Sequence, residues 1–519
     1  MKLLTAASRL ALPILAVAKD DNYPTHVPAA ALESGPIVGV SVELLDSISP
    51  VNRFLGIPYA SRPERFSRAK KPKPWTKPLE ATEFGPSCTQ LFTNNELSPG
   101  VEILQGFFDN GPPESEDCLY MNAFAPTSPQ PPEGRPVVLF IHGGVFGFPN
   151  SPDIPVENTN LGLYDQQLAI EWVQANARAF GGDPGKVTIW GESAGSMSVD
   201  VHLNAYRNVH PPPFRGAIMF SGQVSVGLLG ATANSQEQRS WDAVAQAVGC
   251  NSTDDQLSCM RQVSASDLID AMSATQVTFT PVTDNVTVPR GRAQRWREGK
   301  IAKVPVLTGT IAQEGRALVN RHINMSLFLD SYLTEPLVTK EQRGAILDVY
   351  RADPALETNF DVAAAIYTDY FWQCPQGILA NMSASIDNPA WRFYFNASLI
   401  SLFPKELAWL GKFHGSDVSL LFSTPTFEGD AGGVPLTPQL YTFGNYLRGV
   451  VGRFVKNPRG GPGWPAVGSR YAPFDVANLG DVGSEVTVAG PTMVDQRVLD
   501  ARCGLYEAIY PVLEKYVLS

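Results

Sequence analysis

The sequence predicts an α/β fold in which a large, mixed and mostly parallel central sheet is flanked by helices. Short apolar strands alternate with helical patterns along the chain, and several strands end in glycine or small polar residues. Hydrophobic residues make up 44% of the chain and charged residues only 18%, which is enough for an extensive buried core. We therefore expect the 519 residues to form one large unit behind a short leader, rather than several small domains.

The apolar runs give the order of the elements. Strands are expected at 36–42, 51–57, 119–124, 137–141, 187–190, 214–220, 304–307 and 391–395. Helices are expected at about 165–179, over most of 325–385, and at about 439–454 and 500–516. The first two strands are expected to open the large sheet.

Residues 187–198 carry the strongest functional signal. A short apolar strand leads into a G-x-S-x-G pattern at 191–195, and small residues that suit the start of a helix follow it. This context is typical of a nucleophile elbow, in which the serine occupies a strained turn between strand and helix. A chance turn rich in glycine and serine is the alternative. The flanking pattern favours the elbow, and Ser193 is the predicted nucleophile.

A serine nucleophile needs a histidine base that is oriented by a carboxylate, and the chain has six histidines. Five of them lie in less suitable places: His26, His142, His202, His210 and His322. His414 alone follows a late strand through a loop, and it lies between Gly411 and Gly415. It is the predicted base, because the order serine, acid, histidine is the one found with this type of elbow.

Glu314 is the predicted acid, because it lies just past the end of a strand, where open α/β sheets place their sites. Asp284 and Asp330 lack that context. Glu192 is expected to project away from Ser193 and to fasten the elbow.

An oxyanion hole needs backbone N–H groups aimed at the negative charge that develops on the substrate. Gly143 and Gly144 follow an apolar strand, and Ala194 follows the nucleophile. These three residues are expected to supply the donors.

The ends and the charge of the chain indicate its compartment. Residues 1–18 have the pattern of a secretory signal peptide with an A-x-A cleavage site, and no later segment is long and apolar enough to span a bilayer. Six cysteines suit an oxidising compartment. Asparagines open five N-x-S/T sequons: Asn251, Asn285, Asn324, Asn381 and Asn396. From the leader, the cysteines and the sequons we expect a secreted, extracellular protein. A net charge of −11 without an extended basic cluster argues against binding to nucleic acid.

Beyond the elbow, the chain resembles the type B carboxylesterases and lipases of the cholinesterase-like α/β-hydrolases, in their fungal secreted branch. The segments that carry the resemblance are 54–60, 115–122, 160–167, 180–184 and 191–195. Together they extend the likeness over nearly all of the mature chain. The resemblance implies an α/β-hydrolase fold and the cleavage of small-molecule or lipid esters through an acyl-enzyme. It implies neither a cofactor nor a metal.

The resemblance also assigns residues. It matches Glu314 to a glutamate acid, His414 to the base and Ser221 to a serine beside the acid. It implies two disulfides, Cys88–Cys118 and Cys250–Cys259. Cys374 and Cys503 are then either a third pair or free thiols.

One departure from the family's pattern lies after Gly144. Members of the family have a long excursion and a further sheet strand there, so roughly 20 to 30 residues are missing from this chain. Either neighbouring strands close the gap, or the sequence omits a coding segment. The alternative to an active esterase is therefore an impaired or non-catalytic binding protein of the same fold. Such proteins typically lose the serine or the histidine, whereas this chain keeps both.

Overall fold

The structure is a computed structural model. It describes residues 27–43, 49–91, 111–142, 147–148, 150–227, 234–251, 255–335, 337–399, 405–422, 437–480 and 490–517. The expected signal peptide at 1–18 and the expected oxyanion residues Gly143 and Gly144 lie outside these ranges.

Fifteen strands occur in the described part of the chain. They are β1 (Ala29–Leu32), β2 (Gly35–Val38), β3 (Val40–Val42), β4 (Val51–Pro58), β5 (Leu79–Glu80), β6 (Ser87–Cys88), β7 (Glu114–Ser115), β8 (Tyr120–Pro126), β9 (Arg135–Ile141), β10 (Gly182–Glu192), β11 (Gly216–Phe220), β12 (Val306–Ile311), β13 (Ala390–Phe395), β14 (Val476–Leu479) and β15 (Thr492–Val494).

Seven of these strands form the central sheet, in the order β15-β14-β13-β12-β11-β10-β9. Every neighbouring pair is parallel except β14 and β15. The prediction of a large, mixed and mostly parallel sheet is thus confirmed. Strand β10 lies between β9 and β11, so the predicted nucleophile follows an interior strand.

The expectation that the first strands open this sheet is wrong. Strand β4 pairs with β3 and β8 in a separate three-stranded sheet, and β1, β2 and β5 form another. Among the described residues, β9 is the terminal strand of the large sheet, and β8 is not hydrogen-bonded to it. The N-terminal strands therefore pack beside the central sheet without extending it.

Fourteen α-helices occur in the same ranges. They are α1 (Leu161–Asn176), α2 (Ala194–Ala205), α3 (Asn234–Ala247), α4 (Gln256–Gln262), α5 (Ala265–Thr275), α6 (Arg292–Arg297), α7 (Met325–Tyr332), α8 (Lys340–Arg351), α9 (Asn359–Tyr367), α10 (Cys374–Ser385), α11 (Ser416–Leu421), α12 (Pro438–Lys456), α13 (Gln496–Leu499) and α14 (Tyr510–Val517). A π-helix, Thr368–Gln373, joins α9 to α10.

Both faces of the central sheet are buried, as a parallel sheet requires. Ile189 of β10 belongs to one hydrophobic cluster, together with residues of α1, α2 and α7 to α10. Its neighbour Trp190 belongs to a second cluster, on the side of α12. Successive side chains of a strand point to opposite faces, so β10 contributes to both clusters and is held between them.

Three disulfides connect the chain. Cys88–Cys118 and Cys250–Cys259 are bridged, which confirms the two pairs that the resemblance implied. Cys374 and Cys503, for which a third pair or two free thiols were the alternatives, form a third bridge. None of the helices in the described ranges is both long and apolar enough to cross a bilayer.

Candidate active site

Ser193 occupies the turn between β10 and α2 in a backbone conformation that few L-residues adopt, with φ 55° and ψ −125°. Its N–H donates a hydrogen bond to the carbonyl oxygen of Phe220, 3.1 Å away on the neighbouring strand. Such conformations persist only where the surroundings enforce them, and they are concentrated at functional sites. The turn thus has the geometry that the G-x-S-x-G pattern predicts.

The two glycines of this pattern are required because other backbone atoms lie too close to leave room for a side chain. A Cβ atom on Gly195 would lie 1.9 Å from the carbonyl oxygen of Ile141 in β9. A Cβ atom on Gly191 would lie 2.2 Å from the backbone of Gly195. Any side chain at either position would push the elbow away from the sheet.

Glu314 and His414 are 100 residues apart in sequence and are in direct contact in the fold. The Nδ1 atom of His414 lies 2.6 Å from Oε2 of Glu314. The other carboxylate oxygen, Oε1, accepts hydrogen bonds from the hydroxyl of Ser221 at 2.6 Å and from the N–H of Ile311 at 2.7 Å. The Glu314 side chain is fully buried. Its two oxygens are thus fixed, and the imidazole is held through Nδ1.

Glu192, which is expected to project away from Ser193, has a further neighbour in the structure, His414. Its carboxylate turns toward the imidazole, with Oε1 only 3.4 Å from Nε2 of His414. Neither of these two atoms has a hydrogen-bond partner among the described residues. The Nε2 atom, which would accept the serine's proton, therefore lies beside a carboxylate and has no hydrogen bond to any described residue.

Buried carboxyl groups set the ionisation of His414. Burial by itself lowers the pKa of its imidazole, but the negative charges of Glu192 and Glu314 and the hydrogen bond to Glu314 outweigh burial and raise that pKa to about 9. Burial also raises the pKa of Glu192 to about 7. The pKa of Asp417 is raised well above its ordinary value by burial and by the neighbouring glutamates, which favours its neutral form.

Sequence reasoning missed two residues of this site. Asp417 is buried at the start of α11, three residues after His414, and that short spacing was the only available signal. Trp372 lies in the π-helix, and its ring centroid is 4.6 Å from that of His414, at an interplanar angle of 45°. Nothing in the sequence around Trp372 indicates this contact, because the π-helix that presents it has no sequence signature.

The other candidates serve the fold. His202 is fully buried, its Nε2 is hydrogen-bonded to Gln166 at 2.9 Å, and burial lowers its pKa to about 4. Asp284 accepts hydrogen bonds from its own turn, and Asp330 forms a surface ion pair with Arg343. These contacts explain why none of the three joins His414.

Of the expected oxyanion donors, the structure describes Ala194. It is the first residue of α2, so its N–H is one of the four at a helix start that have no partner within the helix. Such N–H groups also lie at the positive end of the helix dipole. The position suits the stabilisation of an anion beside Ser193.

A mostly parallel sheet with a serine on the sharp turn after an interior strand defines an α/β-hydrolase. Comparison with known proteins makes the class specific: the model of the carboxylesterase family matches residues 26–158 and 144–474, and the chain belongs to this family. The match consists of two stretches that overlap at 144–158, beginning at the last glycine of the His-Gly-Gly sequence. This is a family of ester hydrolases.

Similar proteins include fungal lipases and a cholinesterase. Lipase 1 of Geotrichum candidum is 29% identical over 76% of this chain and 83% of the lipase. Lipase 2 of the same organism is 30% identical over 72% of this chain and 80% of the lipase. The cholinesterase of Mus musculus is 29% identical over 76% of this chain and 73% of the cholinesterase.

Proposed function

We propose that this protein hydrolyses carboxylic esters through an acyl-enzyme, with Ser193 as nucleophile, His414 as base and Glu314 as the orienting acid. The observation that carries the proposal is the 2.6 Å contact between Glu314 and Nδ1 of His414, in a chain whose only G-x-S-x-G serine occupies a strained elbow. Membership of the carboxylesterase family supports the reaction class.

The proposed reaction begins when Oγ of Ser193 attacks the ester carbonyl carbon and its proton passes to Nε2 of His414. The imidazolium then gives this proton to the alkoxy oxygen, the bond between carbonyl carbon and alkoxy oxygen breaks, and the alcohol leaves. A water molecule, deprotonated by the same nitrogen, attacks the acyl carbon. The bond between this carbon and Oγ of Ser193 then breaks, Oγ takes the proton back from the imidazolium, and the carboxylic acid leaves. Backbone N–H groups of Ala194, Gly143 and Gly144 are proposed to stabilise the tetrahedral oxyanions.

The surroundings of His414 suit these proton transfers. Glu314 fixes the tautomer that carries hydrogen on Nδ1, which leaves Nε2 free to accept the proton of Ser193. Glu192 lies on the Nε2 side, where it stabilises the imidazolium that forms during attack. In a largely buried site such a charge acts more strongly than in water.

The lipases and the cholinesterase among the relatives support an uncharged or a cationic ester as substrate. We propose a small-molecule or lipid ester, with no cofactor. Secretion is proposed on the leader pattern together with the three disulfides. Of the five sequons, Asn396 is unsuited to glycosylation, because its side chain is buried and accepts a hydrogen bond from Lys412.

The second candidate function, a binding protein with impaired catalysis, is favoured by one observation. In the described part of the chain, strand β9 is the terminal strand of the sheet; the His-Gly-Gly sequence follows it, and Val138 in its middle is 40% exposed. We propose that the family strand expected after Gly144 is absent from this position. Ester turnover by the present chain would favour the esterase, and its absence in a folded protein would favour the binding protein.

The first prediction concerns Ser193→Ala. Loss of the nucleophile should lower kcat for a short p-nitrophenyl ester by roughly 10³-fold or more, since triad members act as one unit. Ser266→Ala, which removes an exposed hydroxyl, is the matched control and should keep the rate. Initial rates on the purified proteins measure both. Equal rates for Ser193→Ala and the parent chain would exclude Ser193 as the nucleophile.

A further inference from the structure

A cavity of about 260 Å³ lies apart from the catalytic residues. Ser193, Glu314 and His414 are not among the residues that line it. Its walls come from the 63–67 segment, α1, and the α3 to α5 region, and are mainly apolar: Phe66, Trp241, Val244, Leu268, Met272 and Phe279. A cavity of about 150 Å³ with such walls holds benzene, so this cavity has room for a bicyclic ring system.

Two of the charged groups in the wall neutralise each other. Arg65 contacts Glu116 through two hydrogen bonds, from Nε to Oε1 at 2.5 Å and from Nη2 to Oε2 at 2.9 Å. Its Nη1 donates to the carbonyl oxygens of Met260 and Val263. This guanidinium is therefore fully engaged, and it does not neutralise a further anion.

Asp165 is the remaining carboxyl group inside the cavity. It lies in the second turn of α1, and it has no hydrogen bond or ion pair with any residue in the described ranges. Glu64, the other acidic residue of the wall, is 69% exposed at its side chain and lies 3.7 Å from Arg261. Asp165 is thus a half-buried carboxyl that lines a mainly apolar space and has no counter-ion among the described residues.

We propose that this cavity binds a hydrophobic amine, with its ammonium group on the carboxylate of Asp165 and its ring system between the aromatic and aliphatic side chains. An ammonium supplies the missing counter-charge, and burying the ring removes apolar surface from water. Trp241 and Phe66, whose ring centroids are 5.2 Å apart, provide aromatic edges and faces for that ring system. An anion is disfavoured, because Arg65, the only guanidinium among the described residues of the wall, is already paired with Glu116.

The electrostatic surroundings make the binding depend on pH. Burial raises the pKa of Asp165 to about 7, so its negative charge appears as the pH rises through neutrality. Tyr59 is the titratable group that interacts with it, and the pKa of Tyr59 is raised by burial and by the charge of Asp165. Glu64, Arg65 and Glu116 are the other ionisable residues of the cavity wall in the described part of the chain. A change in amine binding between pH 6 and 8 that disappears in Asp165→Asn therefore reports the charge of Asp165.

The test compares two probes of one shape, 1-naphthylmethylamine and the neutral 1-naphthalenemethanol, by calorimetric titration of the full chain. At pH 8 the amine should bind at least tenfold more tightly than the alcohol, and at pH 5.5 this preference should disappear. Asp165→Asn should remove the preference at pH 8, whereas Asp270→Asn, which changes an exposed carboxyl on α5, should keep it. Ser193→Ala should also keep it, so the result does not depend on the proposed esterase activity.

Equal binding of amine and alcohol to the parent chain at pH 8 would overturn the proposal, as would no binding of the amine at all. An unchanged preference in a folded Asp165→Asn protein would overturn it as well. If that variant does not fold, the pH series on the parent chain decides alone, because a preference that is the same at pH 5.5 and pH 8 excludes Asp165 as the partner.

Discussion

At the scale of single residues, the chemistry of the site depends on how many carboxyl groups face one imidazole. Glu314 contacts Nδ1 of His414, Glu192 approaches Nε2, and Asp417 adds a third buried acid. In the proposed reaction the two glutamates stabilise the protonated imidazole, which strengthens it as an acceptor of the serine's proton. They also raise the pH at which the free enzyme has a neutral base.

We predict that Glu192→Gln shifts the rising limb of the kcat/KM profile to lower pH, by at least about one pH unit. Among the charges that raise the pKa of His414 to about 9, that of Glu192 is the largest, and the amide removes it. The profile should be measured with a short ester between pH 5 and 10. An unchanged limb would mean that Glu192 does not act on His414. Glu298→Gln, an exposed change on the surface, is the control.

The same shift has a consequence for stability. The pKa of His414 in the folded protein lies above its ordinary value of 6.5, so the proton that it holds stabilises the fold, and this contribution is complete below pH 6.5. This contribution is lost as the pH rises through about 9. The loss between these pH values should be smaller in Glu192→Gln, as chemical denaturation at several pH values would show.

The candidate catalytic residues could be predicted from sequence because the elbow is a local pattern and the order of serine, acid and histidine restricts the rest. Glu192 could not be oriented in the same way. Its direction depends on His414, which comes 222 residues later and reaches the elbow only through the fold. Trp372 depends in addition on an irregular helix, so its position beside the imidazole required the structure.

At the scale of elements, the strands with unbroken apolar runs could be predicted, since burial on both faces leaves that pattern in the sequence. Strands β14 and β15 were missed, because they have only four and three residues. The expected helix at 500–516 is realised as α14, Tyr510–Val517, after a 3₁₀ turn at Cys503–Leu505. That turn includes a disulfide cysteine, and tertiary packing outweighs the helical pattern there.

The disulfide between Cys374 and Cys503 is predicted to contribute most to stability, since it closes the longest loop. The two cysteines are 129 residues apart, whereas Cys250 and Cys259 are 9 apart. By loop entropy, replacing the first pair with serines should lower the free energy of unfolding by about 5 kcal/mol, and replacing the second by about 3 kcal/mol. Denaturant titrations of both double variants measure the difference. A larger loss from the short loop would contradict this ranking.

At the scale of the whole molecule, the unusual feature is that β9 pairs with another described strand on one side only. In the described part of the chain, β9 ends the central sheet, and exposed apolar side chains lie on β9 and on the nearby separate sheet, at Val138 and Phe124. An apolar terminal strand favours unwanted association. The family model also divides its match at this point. These observations support the interpretation that a family segment is absent after Gly144.

We predict that a version with a family-like segment of about 20–30 residues restored after Gly144 is more stable than the chain as it stands. A restored strand would pair with β9 and satisfy backbone groups that otherwise depend on water. Thermal unfolding, secreted yield and ester turnover of the two versions should be compared. If the present chain is secreted, melts cooperatively and turns over esters equally fast, the sheet tolerates the gap and the omission hypothesis is wrong.

The central claim is that Ser193 becomes covalently attached to the acyl group, and active-site labelling tests it most directly. The intact protein would be treated with a fluorophosphonate, which traps an activated serine, and the labelled peptide would be identified by mass spectrometry. The account predicts one label, on Ser193, and its loss in His414→Ala, because the serine then has no base. A label on another serine, or no label on a folded chain, would contradict the account.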